Sequence, residues 1–138
     1  LAYSEKLNFF LVLTSNPSAE DFLLPHNLYH QIAQKVVEWN HSRNCGFVAG
    51  ATWPERLGEL RAGAPGVPFL VPGIGAQGGE LARTIAAGSL REDDFAGLLL
   101  HMSRGILPQA EDEGEPGEII RRKTRDWRNA INRAREEE

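Results

Sequence analysis

Cysteine, lysine and long apolar runs are all scarce in this chain of 138 residues. Its single cysteine, Cys45, excludes an internal disulfide; standing directly before Gly46-Phe47-Val48, it reads as a buried structural thiol rather than a nucleophile. No apolar stretch approaches the length of about 20 residues that crosses a bilayer, and no charged-then-apolar leader with a cleavage site is visible. Positive charge is not in excess either: the formal net charge is −4, which gives no reason to expect nucleic acid or an anionic membrane surface as partner. The chain begins at Leu1 rather than at a methionine, which points to a truncated start. What is present, 41% hydrophobic and 25% charged residues, describes one soluble globular domain of the cytoplasm that handles small molecules.

Four apolar runs alternate with helical patterns. Asn8 to Thr14 is a strand buried on both faces, closed by the turn signal Ser15-Asn16-Pro17-Ser18. Leu28, Ile32, Val36 and Trp39 recur at helical spacing and predict an inward stripe on a helix from Leu28 to Asn40. Gly46 to Ala51 is the second strand. Thr52 stands three residues before Glu55, with Pro54 inside the first turn, and this predicts a capping box opening a helix through Leu57 and Leu60. Phe69 to Val71 and Leu98 to Met102 are the third and fourth strands, separated by a helix bearing Leu81 and Ile85. The connector Glu111 to Gly117 reads as a solvated loop. Beyond it Ile120, Thr124, Trp127, Ile131 and Ala134 share one face of a closing surface helix whose other faces carry arginine, which is preferred to a nucleic-acid-binding arm in an acidic chain.

The third strand ends in Pro72-Gly73-Ile74-Gly75-Ala76-Gln77-Gly78-Gly79. Glycines there let the backbone approach an anion, and the first N–H groups of a helix running from Gly79 to Ala87 would point at it with the positive end of the dipole. Gln77 adds an amide that donates to one ligand group and accepts from another. The fourth strand ends in Ser103-Arg104-Gly105, where a guanidinium can grip a phosphate bidentately. Two successive strand-to-helix loops supplying one anion site is the arrangement of (β/α) barrels at their last two strands.

The expected fold is therefore α/β, with a parallel sheet of four βα units. A full eight-stranded barrel takes about 250 residues, so this chain would be half of one, with two edges that something must cover: either a four-stranded open α/β sheet forms, or the missing half comes from another chain, a deleted segment or a second copy. Four other features have bland explanations. His26 and His30 stand four apart without a third ligand, so no metal is implied. His101 reads as a packed barrel histidine rather than a general base, and Trp53 as packing near the mouth. Glu20 and Asp21 suit a helix start better than an acid–base pair.

With these motifs placed, the sequence resembles orotidine 5′-phosphate decarboxylase. The matching segments are Thr14-Ser15-Asn16-Pro17, Val48-Ala49-Gly50-Ala51-Thr52 with Pro54-Glu55, Phe69 through Gly79, and Ser103-Arg104-Gly105-Ile106, in family order from about Asn8 to Leu107. The resemblance implies a (β/α) barrel of the TIM type, of which residues 1–138 are the C-terminal half, strands five to eight. It implies a carboxy-lyase of pyrimidine biosynthesis that converts orotidine 5′-phosphate to uridine 5′-phosphate and CO2 without a cofactor or metal, as a dimer. By the same resemblance Ser15 would hydrogen-bond the pyrimidine, Pro72 would line the ring pocket, Gln77 would bridge phosphate and base, and Arg104 would bind the phosphate. The backbone around Gly75 and Ser103 would help Arg104. All of these bind substrate, and none transfers the proton.

The family's array of alternating lysines and aspartates, which reads like D-x-K-x-x-D, is absent: the lysines are Lys6, Lys35 and Lys123, none at a strand end. The isolated chain is accordingly expected to be inactive, with the array supplied by the N-terminal half of the barrel or by a second protomer. The alternatives are a catalytically inactive half-barrel that binds nucleotide phosphates or acts as an interaction module, and another phosphate-binding barrel enzyme.

Overall fold

The computed structural model describes residues 5–75, 79–90 and 97–136. Four strands, β1 (Asn8–Leu13), β2 (Cys45–Ala49), β3 (Phe69–Pro72) and β4 (Leu98–His101), form one parallel sheet in the order β1-β2-β3-β4. Between and after them run α1 (Ala19–Phe22), α2 (Leu28–Trp39), α3 (Pro54–Gly63), α4 (Leu81–Gly88) and α5 (Pro116–Glu136). Each strand is thus followed by helix, and the sheet never reverses its order; this is a half-barrel arrangement of four βα units.

Alternation along the strands sorts the two sheet faces. Val12, Phe47, Ala49, Phe69 and Val71 are fully buried, and Phe47 stacks on Phe69 with ring centroids 5.2 Å apart. The helices contribute Val36 from α2, Leu57 and Leu60 from α3 and Ile85 from α4, each at most 1% exposed. Full burial of such side chains is worth about 1.5–3 kcal/mol apiece. The opposite face carries a row set by register, in which Leu11 pairs with Val48, Val48 with Leu70 and Leu70 with Leu99. The two ends of that row, on the edge strands, are 59% and 41% exposed.

Three local expectations are corrected. The inward face of α2 is Tyr29, Ala33 and Val36, turned from the predicted stripe, so Leu28 and Trp39 stay largely exposed. Tyr29 sets this rotation: its ring is buried while its hydroxyl reaches Glu59 of α3 at 2.6 Å, and Trp39 lies instead beside the ring of Phe10. No capping box opens α3. Its cap residue is Trp53, the Thr52 hydroxyl donates to the carbonyl of Ser15, and Glu55 pairs with Arg83 of α4. The connector before α5 is not simply solvated, because Asp112 is drawn in, accepting from the Gln109 N–H and pairing with Lys123. On α5 itself the most buried residue is Ile119, next to the predicted Ile120.

Candidate anion-binding site

Parallel register brings the ends of β3 and β4 together: Pro72 pairs with His101, so the loops after these strands leave the sheet side by side. Between them and the β1 turn lies a cleft of about 240 Å³ lined by Ser15, Pro72, His101, Met102, Ser103 and Arg104, with the Gly73-Ile74 and Gly105 backbone completing the wall. Four residues singled out from the sequence, Ser15, Pro72, Ser103 and Arg104, therefore meet in one depression, although Ser15 and Arg104 are 89 positions apart in the chain.

The β3 loop is held in shape by its own backbone. Gly73 and Gly75 adopt positive φ of 100° and 69°, the Gly75 N–H donates to the Gly79 carbonyl at 2.9 Å, and the Gly79 N–H donates back to Gly73 at 3.2 Å. Gly79 has no room for a side chain, since a Cβ would come within 2.6 Å of the Ala51 Cβ. The Gly75 amide is thus already engaged, and α4 starts at Leu81 rather than at Gly79. Gln77 lies outside the described residues.

The β4 loop turns sharply, with the N–H groups of Ile106 and Leu107 both donating to the Ser103 carbonyl, at 3.0 and 2.8 Å. This leaves Arg104 exposed at the apex of the turn, where its carbonyl accepts from Gln109. Among the described residues its guanidinium has no hydrogen-bond or ion-pair partner, and no carboxylate lines the cleft. A fixed positive charge with unused donors, beside a glycine turn, is suited to an anion.

His101 is exposed rather than packed, because β4 is an edge strand of this sheet and its last residue faces the cleft. None of the three lysines lines that cleft: Lys6 precedes β1, Lys35 pairs with Glu38 on α2, and Lys123 pairs with Asp112. No group of three or more metal-ligating side chains occurs among the described residues. Cys45 is fully buried, its thiol pushed up by that burial, and its N–H is held by Asn40.

Sequence reasoning missed one residue that organises the site. Trp127 of α5 donates from its indole N–H to the Gly105 carbonyl at 3.1 Å, and the far edge of the same ring lies against Gly75. The signal was available, since a tryptophan stands on the inward face of α5, but its target on two distant loops was not.

No family model matches the chain. Among curated proteins, an orotidine 5′-phosphate decarboxylase of Aromatoleum aromaticum is 40% identical over 141 residues, covering 98% of this chain and 51% of the relative. Among solved structures, the orotidine monophosphate decarboxylase of Leishmania donovani superposes with a TM-score of 0.78 at 32% identity, covering 97% of this chain and 50% of that one. The uridine monophosphate synthase of the same organism superposes with a TM-score of 0.72 at 37% identity over 94% of this chain and 29% of that one. The chain spans about half the length of the curated relatives it matches. The parallel half-barrel, the order of the motifs and these likenesses agree: over nearly its whole length the chain is similar to about half of an orotidine 5′-phosphate decarboxylase.

Proposed function

We propose that this chain is the substrate-anchoring, C-terminal half of a (β/α)8 decarboxylase barrel, strands five to eight, which grips the phosphate and the pyrimidine of orotidine 5′-phosphate. The single observation that carries this reading is the cleft in which Arg104, Ser103, Pro72 and Ser15 converge. Arg104 holds the phosphate, with the backbone around Ser103 and Gly75 beside it. Ser15 meets the pyrimidine near the leaving carboxylate, Pro72 lines the ring pocket, and Gln77 spans phosphate and base.

Decarboxylation without a metal or organic cofactor leaves electron density on a ring carbon. The barrier must then fall through preorganised charge, supported by binding energy collected at the distant phosphate. The described cleft contains the grip and none of the lysines of the chain. Turnover therefore needs a second component carrying alternating lysines and aspartates, either the N-terminal half of the barrel or another protomer of a cytoplasmic dimer. That component would also cover the apolar row from Leu11 to Leu99 and the two open sheet edges.

The lysine-free cleft equally favours a second reading, a half-barrel that binds nucleotide phosphates without turnover. Isothermal titration with uridine 5′-phosphate and a decarboxylation assay on one sample test both. Binding without turnover by the chain alone, with turnover restored by the complementary half, is the expected result. Restored assembly without turnover leaves the binding module, and equal affinity for uridine 5′-phosphate and ribose 5-phosphate overturns the pyrimidine assignment.

A further inference from the structure

The turn that carries Ser15 is held from the neighbouring β2–α3 loop by three consecutive devices. Gly50, at the end of β2, donates its N–H to the Leu13 carbonyl at 2.8 Å, and it must be glycine because a Cβ there would sit 2.6 Å from the Ser15 Cα. Thr52 donates its hydroxyl to the Ser15 carbonyl at 3.0 Å. Trp53 donates its indole N–H to the Thr14 carbonyl at 2.9 Å. Two adjacent carbonyls of the β1 turn are thus taken by two adjacent side chains of the next loop, while the Ser15 backbone is seated on bare Gly50. The same loop is pinned at its other side, where the Ala51 N–H donates to the Pro72 carbonyl at 2.9 Å.

We infer that Thr52 and Trp53 are positioning residues, which set the Ser15 hydroxyl at the pyrimidine end of the cleft while leaving the phosphate end to Arg104 and Trp127. The inference rests on the reading of Ser15 as a pyrimidine contact. Capping and packing alone would not explain the pattern. A threonine serving the start of α3 would turn its hydroxyl to that helix, and a tryptophan serving only as apolar filler would not need its N–H on Thr14. Both side chains instead reach backward across the sheet, to the two carbonyls that flank the Ser15 amide. A hydroxyl has to be held to well under an ångström to discriminate a ligand, and a turn closed only by Asn16 and Pro17 would not hold it so.

The test uses the whole chain with Thr52→Val, Thr52→Ser and Trp53→Phe, the last keeping the ring and removing the donor. Affinities for uridine 5′-phosphate and ribose 5-phosphate are measured by titration calorimetry, and amide exchange is followed across residues 14–18. Thr52→Val and Trp53→Phe should each weaken uridine 5′-phosphate roughly three- to tenfold, the range for one lost hydrogen bond, leave ribose 5-phosphate unchanged, and speed exchange in the turn. Thr52→Ser, which keeps the hydroxyl, should retain both the uridine 5′-phosphate affinity and the slow exchange of the parent, and in a Ser15→Ala background Thr52→Val should cost no further affinity. Parallel loss of both ligands, or unaltered exchange, overturns the positioning role. If the parent chain does not distinguish the two ligands, it is the pyrimidine contact of Ser15 that fails. Exchange then decides the clamp alone: faster exchange in the variants supports it, and unchanged exchange overturns it.

Discussion

Trp127 donates to the Gly105 carbonyl from the middle of α5, and its ring also covers Gly75, so one side chain touches both loops that flank the cleft. A Cβ on Gly105 would approach the indole nitrogen to 3.0 Å, which explains why that loop is bare where the helix crosses it. Replacing Trp127 by alanine should cost about 2 kcal/mol in stability, less than a fully buried tryptophan because the ring is half-buried. It should also weaken phosphate ligands, since the two loops lose their common brace. Trp127→Phe keeps the ring and removes the donor, and should cost about 1 kcal/mol. Urea denaturation and a phosphate titration on the same variants read both effects.

Arg104 supplies the formal positive charge of the described cleft. Arg104→Ala should weaken uridine 5′-phosphate by roughly 1.5 to 3 kcal/mol, the range for a hydrogen bond to a charged group, and hardly change the affinity for uridine. The loss should shrink as salt is raised, because the approach to this exposed group is screened. Equal losses for nucleotide and nucleoside in calorimetry would remove the phosphate assignment.

The four βα units were legible because every strand is an apolar run ended by turn chemistry, and register then follows from packing. Pro72 and Arg104 could be placed at adjacent strand ends from order alone, because a parallel sheet with sequential strands has only one such arrangement. What resisted reading were interactions between loops. Thr52 has the spacing of a capping box, yet its hydroxyl donates to the Ser15 carbonyl and not to the start of α3, and sequence spacing cannot see that competitor. His101 looked like a core residue because its strand is apolar, but a strand at a sheet edge has one side uncovered. The rotation of α2 depended on a tertiary bond, Tyr29 to Glu59, across 30 positions.

Arg61 gives a prediction on stability rather than binding. It lies buried in the last turn of α3, with its guanidinium over the Phe69 ring at 3.8 Å, donating to the carbonyls of Gly88 at 2.7 Å, Val67 at 2.7 Å, Ala64 at 3.2 Å and Gly97 at 3.3 Å. Burial lowers its pKa to about 10, which still leaves it charged at neutral pH. These carbonyls belong to the ends of α3 and α4 and the entries to β3 and β4, so one cation ties the bases of two units. Arg61→Met should destabilise by about 3–5 kcal/mol, since several buried acceptors lose their donor at once. Arg61→Lys should recover only part, because an ammonium lacks the planar fork that reaches carbonyls on both sides. Chemical denaturation at neutral pH distinguishes the three proteins.

The α2–α3 contact should be sensitive to acid. The Tyr29 hydroxyl donates to Glu59 at 2.6 Å, His30 lies 3.2 Å from the same oxygen, and Arg56 reaches the other at 2.8 Å. The Tyr29 hydrogen bond first, then those of His30 and Arg56 with the Arg56 charge, hold the Glu59 carboxyl below its usual value against the opposing effect of burial. A carboxyl depressed in the folded state binds fewer protons there than in the unfolded chain. Its contribution is therefore complete above the ordinary glutamate value of 4.5 and is lost as pH falls through the lower folded one. The Glu59 side chain is 41% exposed, so solvent screening holds the effect to about 0.5–1 kcal/mol. Glu59→Gln should lower stability at pH 6 by that amount and flatten the decline of the urea midpoint below pH 4.5. Parallel pH profiles for the two proteins would assign the acid sensitivity to other carboxylates, with Asp112, held low by its hydrogen bond from Lys123, the next to replace.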